Sequence, residues 1–448
     1  MPYILNTDKD RQEMLKAIGV SSPEQLYSQL PQSIRLKQSL DLPRGLSEQQ
    51  VKQTVESLAA RNSTASQLNS FLGAGCYQHY LPAALNFIIS QPAFVTAYTP
   101  YQPEISQGAL QAIYEYQSYI CRLTGMDVSN ASLFDGASGL AEAALMALRV
   151  TARKKILVSS ALHPQYRQTL RTYLRGFKFK ICEIGVDKQG FTDIGQLRGN
   201  IDEDTACVIA QSPNFLGLIE DVAQLSAAAK AKNALLVLSC DGFSLAVLKE
   251  PAHFGVDIVC GDGQSLGGAL NFGGPSFGFM AVKSDYLRQM PGRIVGRTED
   301  KDGRPAYCLT LQAREQHIRG EKATSNICSN QSLNAISAAV YLSLMGSQGL
   351  QDAAQACLFN ARYLQKKMAG IAGVSFPFSG RFFHEFIWQA KDAVKILKKL
   401  YRKDIIAGLA VEKYYPQFND CVLTCCTEVK SRQDMDDLAA QLEKALNG

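Results

Sequence analysis

Between Lys155 and Val282 the chain repeats one pattern: a short, nearly unbroken apolar run, then a stretch with helical spacing. The runs are Lys155–Ser159, Phe179–Val186, Thr205–Gln211, Ala234–Cys240, Asp257–Cys260 and Phe277–Val282. Pro164–Arg175 and Val222–Lys232 read as helices between them. An apolar run without polar alternation is a strand covered on both faces, and helices between such strands set them parallel. The pattern predicts an α/β fold with a mostly parallel sheet. Ligands in sheets of this kind sit outside the carboxyl ends of the strands. His163, Ser212, Pro213, Asn214, Asp241 and Gln264 each follow a strand and fall on that side.

Upstream, Ala109–Gly125 has apolar residues at helical spacing, and Gly139–Arg153 is rich in alanine and leucine. The turn Asp135–Gly139 stands at the start of that second helix, where free N–H groups and the positive dipole end favour an anion. Ser138 there is either an anion contact or simply an N-cap. Residues 1–72 read as a helical extension that packs on a neighbour. Ser22-Pro23 opens one short helix, and Ser47 with Gln50 forms a capping box before Glu48–Ala60. Residues 73–333 make the large domain. Residues 334–448 make a smaller α+β domain, with a helix from Ser332 to Met345, strands at Val374–Phe376, Glu385–Gln389 and Cys421–Thr424, and a basic helix at Lys391–Lys403.

The segment Asp257–Val282 is unusual for its glycines, Gly267, Gly268, Gly273, Gly274 and Gly278, which permit sharp turns and close approach. In large α/β enzymes that use pyridoxal phosphate, such a loop often carries the lysine that binds the aldehyde. Here it has none; the nearest are Lys249 and Lys283, one on either side. The loop is shaped for a catalytic site but lacks the amine for covalent chemistry, or else it is an ordinary glycine-rich connection.

Phe71–Gly108 is proline-rich and holds Tyr77, His79, Tyr80, Tyr98 and Tyr101. Polar aromatics in an irregular segment suggest a binding surface, the alternative being a loop whose tyrosines pack. Arg293–Leu333 is polar and highly charged, either a solvated loop or a hydrogen-bond network near a site.

Composition excludes several classes. A formal net charge of +5 over 448 residues argues against nucleic acid as the main partner. No apolar run is long enough for a membrane span, and the N-terminus lacks the pattern of a signal peptide. Twelve cysteines are scattered without a C-x-x-C pair, which argues against a zinc site and fits reduced core residues in a cytoplasmic protein.

Four stretches together, YTPYQPEISQG (98–108), NASLFDGASGLAEA (130–143), GDGQSLG with FGGPSFGF (261–267 and 272–279) and GRTEDKDGRPAYCLTLQAREQHIRGEKATSNICSNQSL (296–333), resemble the P-protein of the bacterial glycine cleavage system, in its split form. The likeness is to the N-terminal subunit and runs from about Tyr3 to the C-terminus. It implies the fold-type I architecture of pyridoxal phosphate-dependent transferases. It implies that the complete enzyme decarboxylates glycine and passes the aminomethyl group to the lipoyl arm of H-protein. It implies an α2β2 particle whose second subunit carries the Schiff-base lysine and the pyridoxal phosphate. In this chain the lysine position falls on Gln264, counted back from Pro275, and a glutamine amide forms no aldimine.

Ser138, His163 and Asp241 stand where the fold places the phosphate contact, the aromatic over the ring and the partner of the pyridine nitrogen. Each is either residual cofactor binding or packing alone. Tyr98, Thr99, Tyr101, Gln102 and Glu104 are the loop expected to reach the partner's site. The other readings are an independent pyridoxal phosphate enzyme using Lys249 or Lys283, and a scaffold that only stabilises its partner.

Overall fold

The computed structural model describes residues 5–36, 38, 40–65, 67–327 and 329–447. The chain divides into two units, Met1–Ser63 and Thr64–Gly448. The first unit therefore ends before the boundary at 72 expected from sequence, because Asn69 and Ser70 pair as a parallel strand with Ile405 and Ile406 of the second.

Two α-helices make up most of the first unit, Asp8–Ile18 and Glu48–Ala59. Each opens on a full capping box, Thr7 with Asp10 and Ser47 with Gln50. Ser22-Pro23 begins only a 3-10 turn, Pro23–Tyr27, since Ser22 makes no side-chain cap. No described residue of this unit is buried.

The second unit is built on a seven-stranded sheet. Its strands lie in the order Val128–Ser129, Gly278–Val282, Ile258–Asp262, Leu235–Ser239, Thr205–Gln211, Lys155–Ser159, Lys180–Ile184. The last five are mutually parallel; Gly278–Val282 runs antiparallel to both its neighbours. Side chains alternate between two cores. Leu157, Val208, Leu236, Leu238 and Val259 join one with the helix Gln107–Thr124, while Ile156, Val158, Ile209, Val237 and Cys260 join the other with the helix Gly136–Thr151. Burial on both faces explains why these strands read as continuous apolar runs.

A three-stranded antiparallel sheet, Glu385–Gln389, Cys421–Cys425 and Leu409–Ala410, forms the C-terminal part around the fully buried Trp388. Val374–Phe376 is not a strand; Ser375 makes a single bridge to Gln389. The helix from Ser332 runs past Met345 to Ala369, bending at Gly346, whose φ is 64°. It continues because Leu350, Ala354, Cys357, Ala361, Leu364 and Met368 keep one buried stripe beyond the glycine. The polar segment after Arg293 contains a β-hairpin, Ile294–Glu299 against Pro305–Thr310.

Candidate functional site

At the carboxyl ends of the parallel strands, the helix Gly136–Thr151 points its N-terminus into a cleft of about 790 Å³. The N-cap is Asp135, not Ser138: the Asp135 carboxylate accepts from Ser138 N at 2.7 Å, and Ser138 Oγ accepts from Asp135 N at 3.2 Å. The helix thus starts earlier than the sequence suggested, because Asp135 in extended backbone caps it more strongly than a residue inside the first turn. The dipole end already faces carboxylates of this chain. Asp262 Oδ2 accepts from Gly136 N at 3.0 Å, and its Oδ1 accepts from Gln264 N and Ser276 Oγ. A Cβ on Gly136 would lie 2.2 Å from Tyr166 Oη, so the tyrosine hydroxyl also fills the approach to the helix start. Burial raises the Asp262 carboxyl above its ordinary range.

Gln264 is buried and turned towards a strap, residues 73–80. Its Oε1 accepts from Tyr77 N, and its Nε2 donates to Tyr77 O and Gly268 O, all at 2.8 Å. Glu385 holds the strap a second time, with Oε1 on Ala74 N at 2.6 Å and Oε2 on Tyr77 Oη at 2.9 Å. Glu428 holds it a third time, accepting from Tyr80 N at 2.7 Å and meeting His79 Nδ1 at 2.8 Å. Cys357 Sγ also donates to Glu428, so the donor atoms of His79, Cys357 and Glu428, close enough for a metal ion, serve one another. His163 closes the cleft side. Its Nε2 donates to Ala74 O at 2.9 Å and its Nδ1 accepts from Gln165 N at 3.2 Å, which fixes the tautomer. Gly75 has φ of 102°, and a Cβ there would come within 3.0 Å of His163 Nε2.

Asp241 ends the strand Leu235–Ser239, and its Oδ1 accepts from Ser265 Oγ at 2.6 Å. Its Oδ2 has no hydrogen-bond partner among the described residues and lies 3.7 Å from His384 Nε2. Burial depresses the His384 imidazole to about 4. Burial, with Asp241 nearby, raises the Glu385 carboxyl to about 7.

Ser138 and His163 line the cleft of about 790 Å³, while Asp241 and Gln264 line a smaller space beside it that His163 also borders, and that smaller space does not fit pyridoxal phosphate. The space between Tyr77, His163, Tyr166, Asp241 and Gln264 is about 30 Å³, room for a water and not for a pyridine ring. Carboxylates stand where a phosphate would seek the helix dipole. Neither alternative lysine reaches the place. Lys283 pairs with Asp257 at the opposite end of the strand Ile258–Asp262, and Lys249 is exposed, 3.4 Å from His253.

Tyr98, Thr99, Tyr101, Gln102 and Glu104 form a separate surface. Tyr98 and Tyr101 are 80% and 45% exposed, on either side of the buried Pro100. Beneath them lies Arg293, only 5% exposed, whose Nη2 donates to Tyr101 Oη at 2.8 Å and whose guanidinium carbon is 5.2 Å from the ring centre. Arg293 pairs with the buried Glu315 at 3.5 Å, and His317 approaches the same carboxylate at 3.6 Å. Thr99 Oγ1 and Asn330 Oδ1 lie 3.5 and 3.4 Å from Arg293 Nη1, and Tyr98 Oη lies 3.2 Å from Ser329 Oγ. Gln102 and Glu104 are exposed, and their side chains make no hydrogen bond or ion pair among the described residues.

Sequence reading did not single out Arg293, Glu315, Asp262, His384 or Glu385. A signal existed for the first two, in the charge of the segment after Arg293, and for Asp262, which closes an apolar run. Nothing in the sequence marks His384 or Glu385 as buried.

The family described as glycine cleavage system P-protein matches residues 1–442. The chain is 49% identical to the probable glycine dehydrogenase (decarboxylating) subunit 1 of Desulforamulus reducens, over 99% of both chains. A crystal structure of glycine decarboxylase (P-protein) of the glycine cleavage system, in inhibitor-bound form, superposes with a TM-score of 0.92 at 39% identity, covering 100% of both chains. A C-DES variant with glycine covalently linked to its PLP cofactor shares the fold, with a TM-score of 0.63 at 16% identity over 85% of this chain and 97% of that one. The fold is that of fold-type I pyridoxal phosphate enzymes, and the chain belongs to the glycine cleavage system P-protein family.

Proposed function

We propose that this chain is the first subunit of glycine decarboxylase and acts across a subunit interface on a site held by a lysine-bearing second subunit. That second subunit binds the pyridoxal phosphate, which supplies the electron sink for losing the carboxylate of glycine. The assembled enzyme, an α2β2 particle, passes the aminomethyl group to the lipoyl arm of H-protein. The assembly works in the cytoplasm, a reading supported by the eleven described cysteines, all free. No helix among the described residues is long and apolar enough to cross a membrane.

One observation carries the reading: an exposed loop, Tyr98–Glu104, is braced from below by a buried ion pair, Arg293 with Glu315, while Gln264 stands at the lysine position in a space of only about 30 Å³. A loop that only covered a surface would need no buried charge beneath it, since burying an ion pair costs desolvation. Pro100 and Pro103 stiffen the loop and lower the entropy lost on docking. Glycine has no side chain to grip, so selectivity must come from closing the site tightly and excluding water.

The test is kinetic. In the assembled enzyme, Tyr101→Phe and Glu104→Gln should each lower kcat/KM roughly tenfold, about 1.4 kcal/mol of transition-state stabilisation. Size-exclusion profiles of the same samples should be unchanged, because both substitutions nearly conserve shape. Full activity in both assembled variants would reduce the loop to an interface seal.

A further inference from the structure

Arginine has five N–H donors and no acceptor. The 2.8 Å contact between Arg293 Nη2 and Tyr101 Oη therefore has one direction, with the guanidinium donating and the phenol oxygen accepting. Tyr101 Oη makes no other hydrogen bond among the described residues and Tyr101 is 45% exposed, so its proton is available to solvent or to a docked acceptor.

Several groups constrain the pose. Arg293 is buried and faces Glu315 at 3.5 Å, an ion pair in which Arg293 Nε and both Glu315 carboxylate oxygens have no hydrogen-bond partner among the described residues. Asn330 spends its amide hydrogens on Ala131 O and Ser132 Oγ, at 3.0 and 2.9 Å, so its Oδ1 is turned towards Arg293. The His317 ring meets the Tyr101 ring edge-on, with centres 5.5 Å apart. A phenol that accepts from a cation is also a stronger donor in its own right, because linked hydrogen bonds polarise one another.

We infer that Tyr101 donates a hydrogen bond to the carboxylate of the substrate amino acid, with Arg293 as its positioning residue. The inference rests on the proposed function. It follows from the chemistry of glycine, which offers only an amine and a carboxylate. The amine is taken up by the cofactor, so the one acceptor that glycine itself still offers a fixed donor is the carboxylate. Tyr98 carries no such assignment, because either partner in its contact with Ser329 can be the donor.

The experiment uses the assembled holoenzyme, titrated with glycine and with methylamine, which is glycine without its carboxylate. Binding is followed in the visible absorption of the cofactor. Tyr101→Phe should weaken glycine about tenfold and change methylamine by less than about twofold. Arg293→Lys should weaken glycine in the same selective way, and adding it to Tyr101→Phe should cost glycine little more. Equal losses for both ligands would overturn the carboxylate assignment while leaving the loop at the partner's site. Unchanged binding of both ligands by Tyr101→Phe would overturn the carboxylate assignment, and together with full activity in both loop variants it would remove the loop from the partner's site. Additive losses in the double variant would overturn the positioning role of Arg293. Should Arg293→Lys fail to assemble, the Tyr101→Phe comparison alone decides the carboxylate assignment.

Discussion

Gln264 pairs with the backbone of Tyr77 through both ends of its amide, Oε1 accepting from Tyr77 N and Nε2 donating to Tyr77 O, each at 2.8 Å. The residue at the expected lysine position thus has its own work. It fastens the strap that fills the cofactor place. Lysine has three donors and no acceptor, so it cannot replace the first of these bonds.

Gln264→Lys should therefore destabilise the chain and capture no cofactor. Leaving Tyr77 N buried and unpaired costs about 1–3 kcal/mol, and burying an ammonium adds to it. Chemical denaturation measures the loss. Borohydride reduction with added pyridoxal phosphate, followed by peptide mapping, should find no specific adduct; a stoichiometric one at residue 264 would show that the strap yields to the cofactor.

Asp262 predicts a second loss of stability. Its carboxylate satisfies Gly136 N at the helix start, Gln264 N and Ser276 Oγ. Asp262→Ala leaves these three donors without that acceptor and removes a favourable charge from the dipole end, for a cost of about 2–4 kcal/mol. Asp262→Asn, which keeps one acceptor oxygen, should lose less. Urea midpoints that rank the two variants the other way would sink this account of the helix start.

Glu385 gives a pH dependence of definite sign. Its folded carboxyl is raised from 4.5 to about 7, so the native state holds the proton more tightly than the unfolded chain. Its contribution is most favourable below 4.5 and is lost as pH rises to about 7. His384 works in the opposite sense: lowered from 6.5 to about 4, it costs stability as pH falls through that window. Glu385→Gln removes only the first effect. Between pH 5 and pH 8 wild type should lose on the order of 3 kcal/mol relative to this variant. Urea titrations at the two pH values measure the difference, and parallel behaviour of the two proteins would refute it.

The sheet was legible because its strands are covered on both faces, which leaves unbroken apolar runs in the sequence. The Gly346 bend was not, since a glycine in a helical pattern reads equally as a stop, and only the buried stripe beyond it decides. The strand Ile258–Asp262 was read two residues short because Gly261 and Asp262 are not strand formers; they are held by pairing with Phe279 and Gly278. His163, Asp241 and Gln264 were legible as residues that follow strands, and they border one small space. What fills it was not, because Gln264 and Tyr77 stand 187 positions apart. The same holds for Arg293 and Tyr101, 192 positions apart, whose contact no local pattern encodes. His384 and Glu385 look like surface residues in a strand, and their burial follows from the strap packing over them.

The first unit predicts where the partner binds. On the helix Glu48–Ala59, Val51, Val55 and Leu58 are 47%, 57% and 54% exposed and share one face. Leu36 and Leu42 are 77% and 72% exposed. A helix of 12 residues with no buried face is marginal in water, because helical stability in proteins comes mostly from packing. The stripe therefore needs a cover, and on the proposed function the second subunit is expected to supply it. Burying a valine or leucine contributes about 1.5–3 kcal/mol, so Val55→Asp or Leu58→Asp should weaken assembly roughly tenfold or more. Hydrogen exchange gives an independent reading: the amides of Glu48–Ala59 should exchange fast in the isolated chain and slowly in the complex. Wild-type assembly by both variants, together with equal protection in the free chain, would place the partner elsewhere.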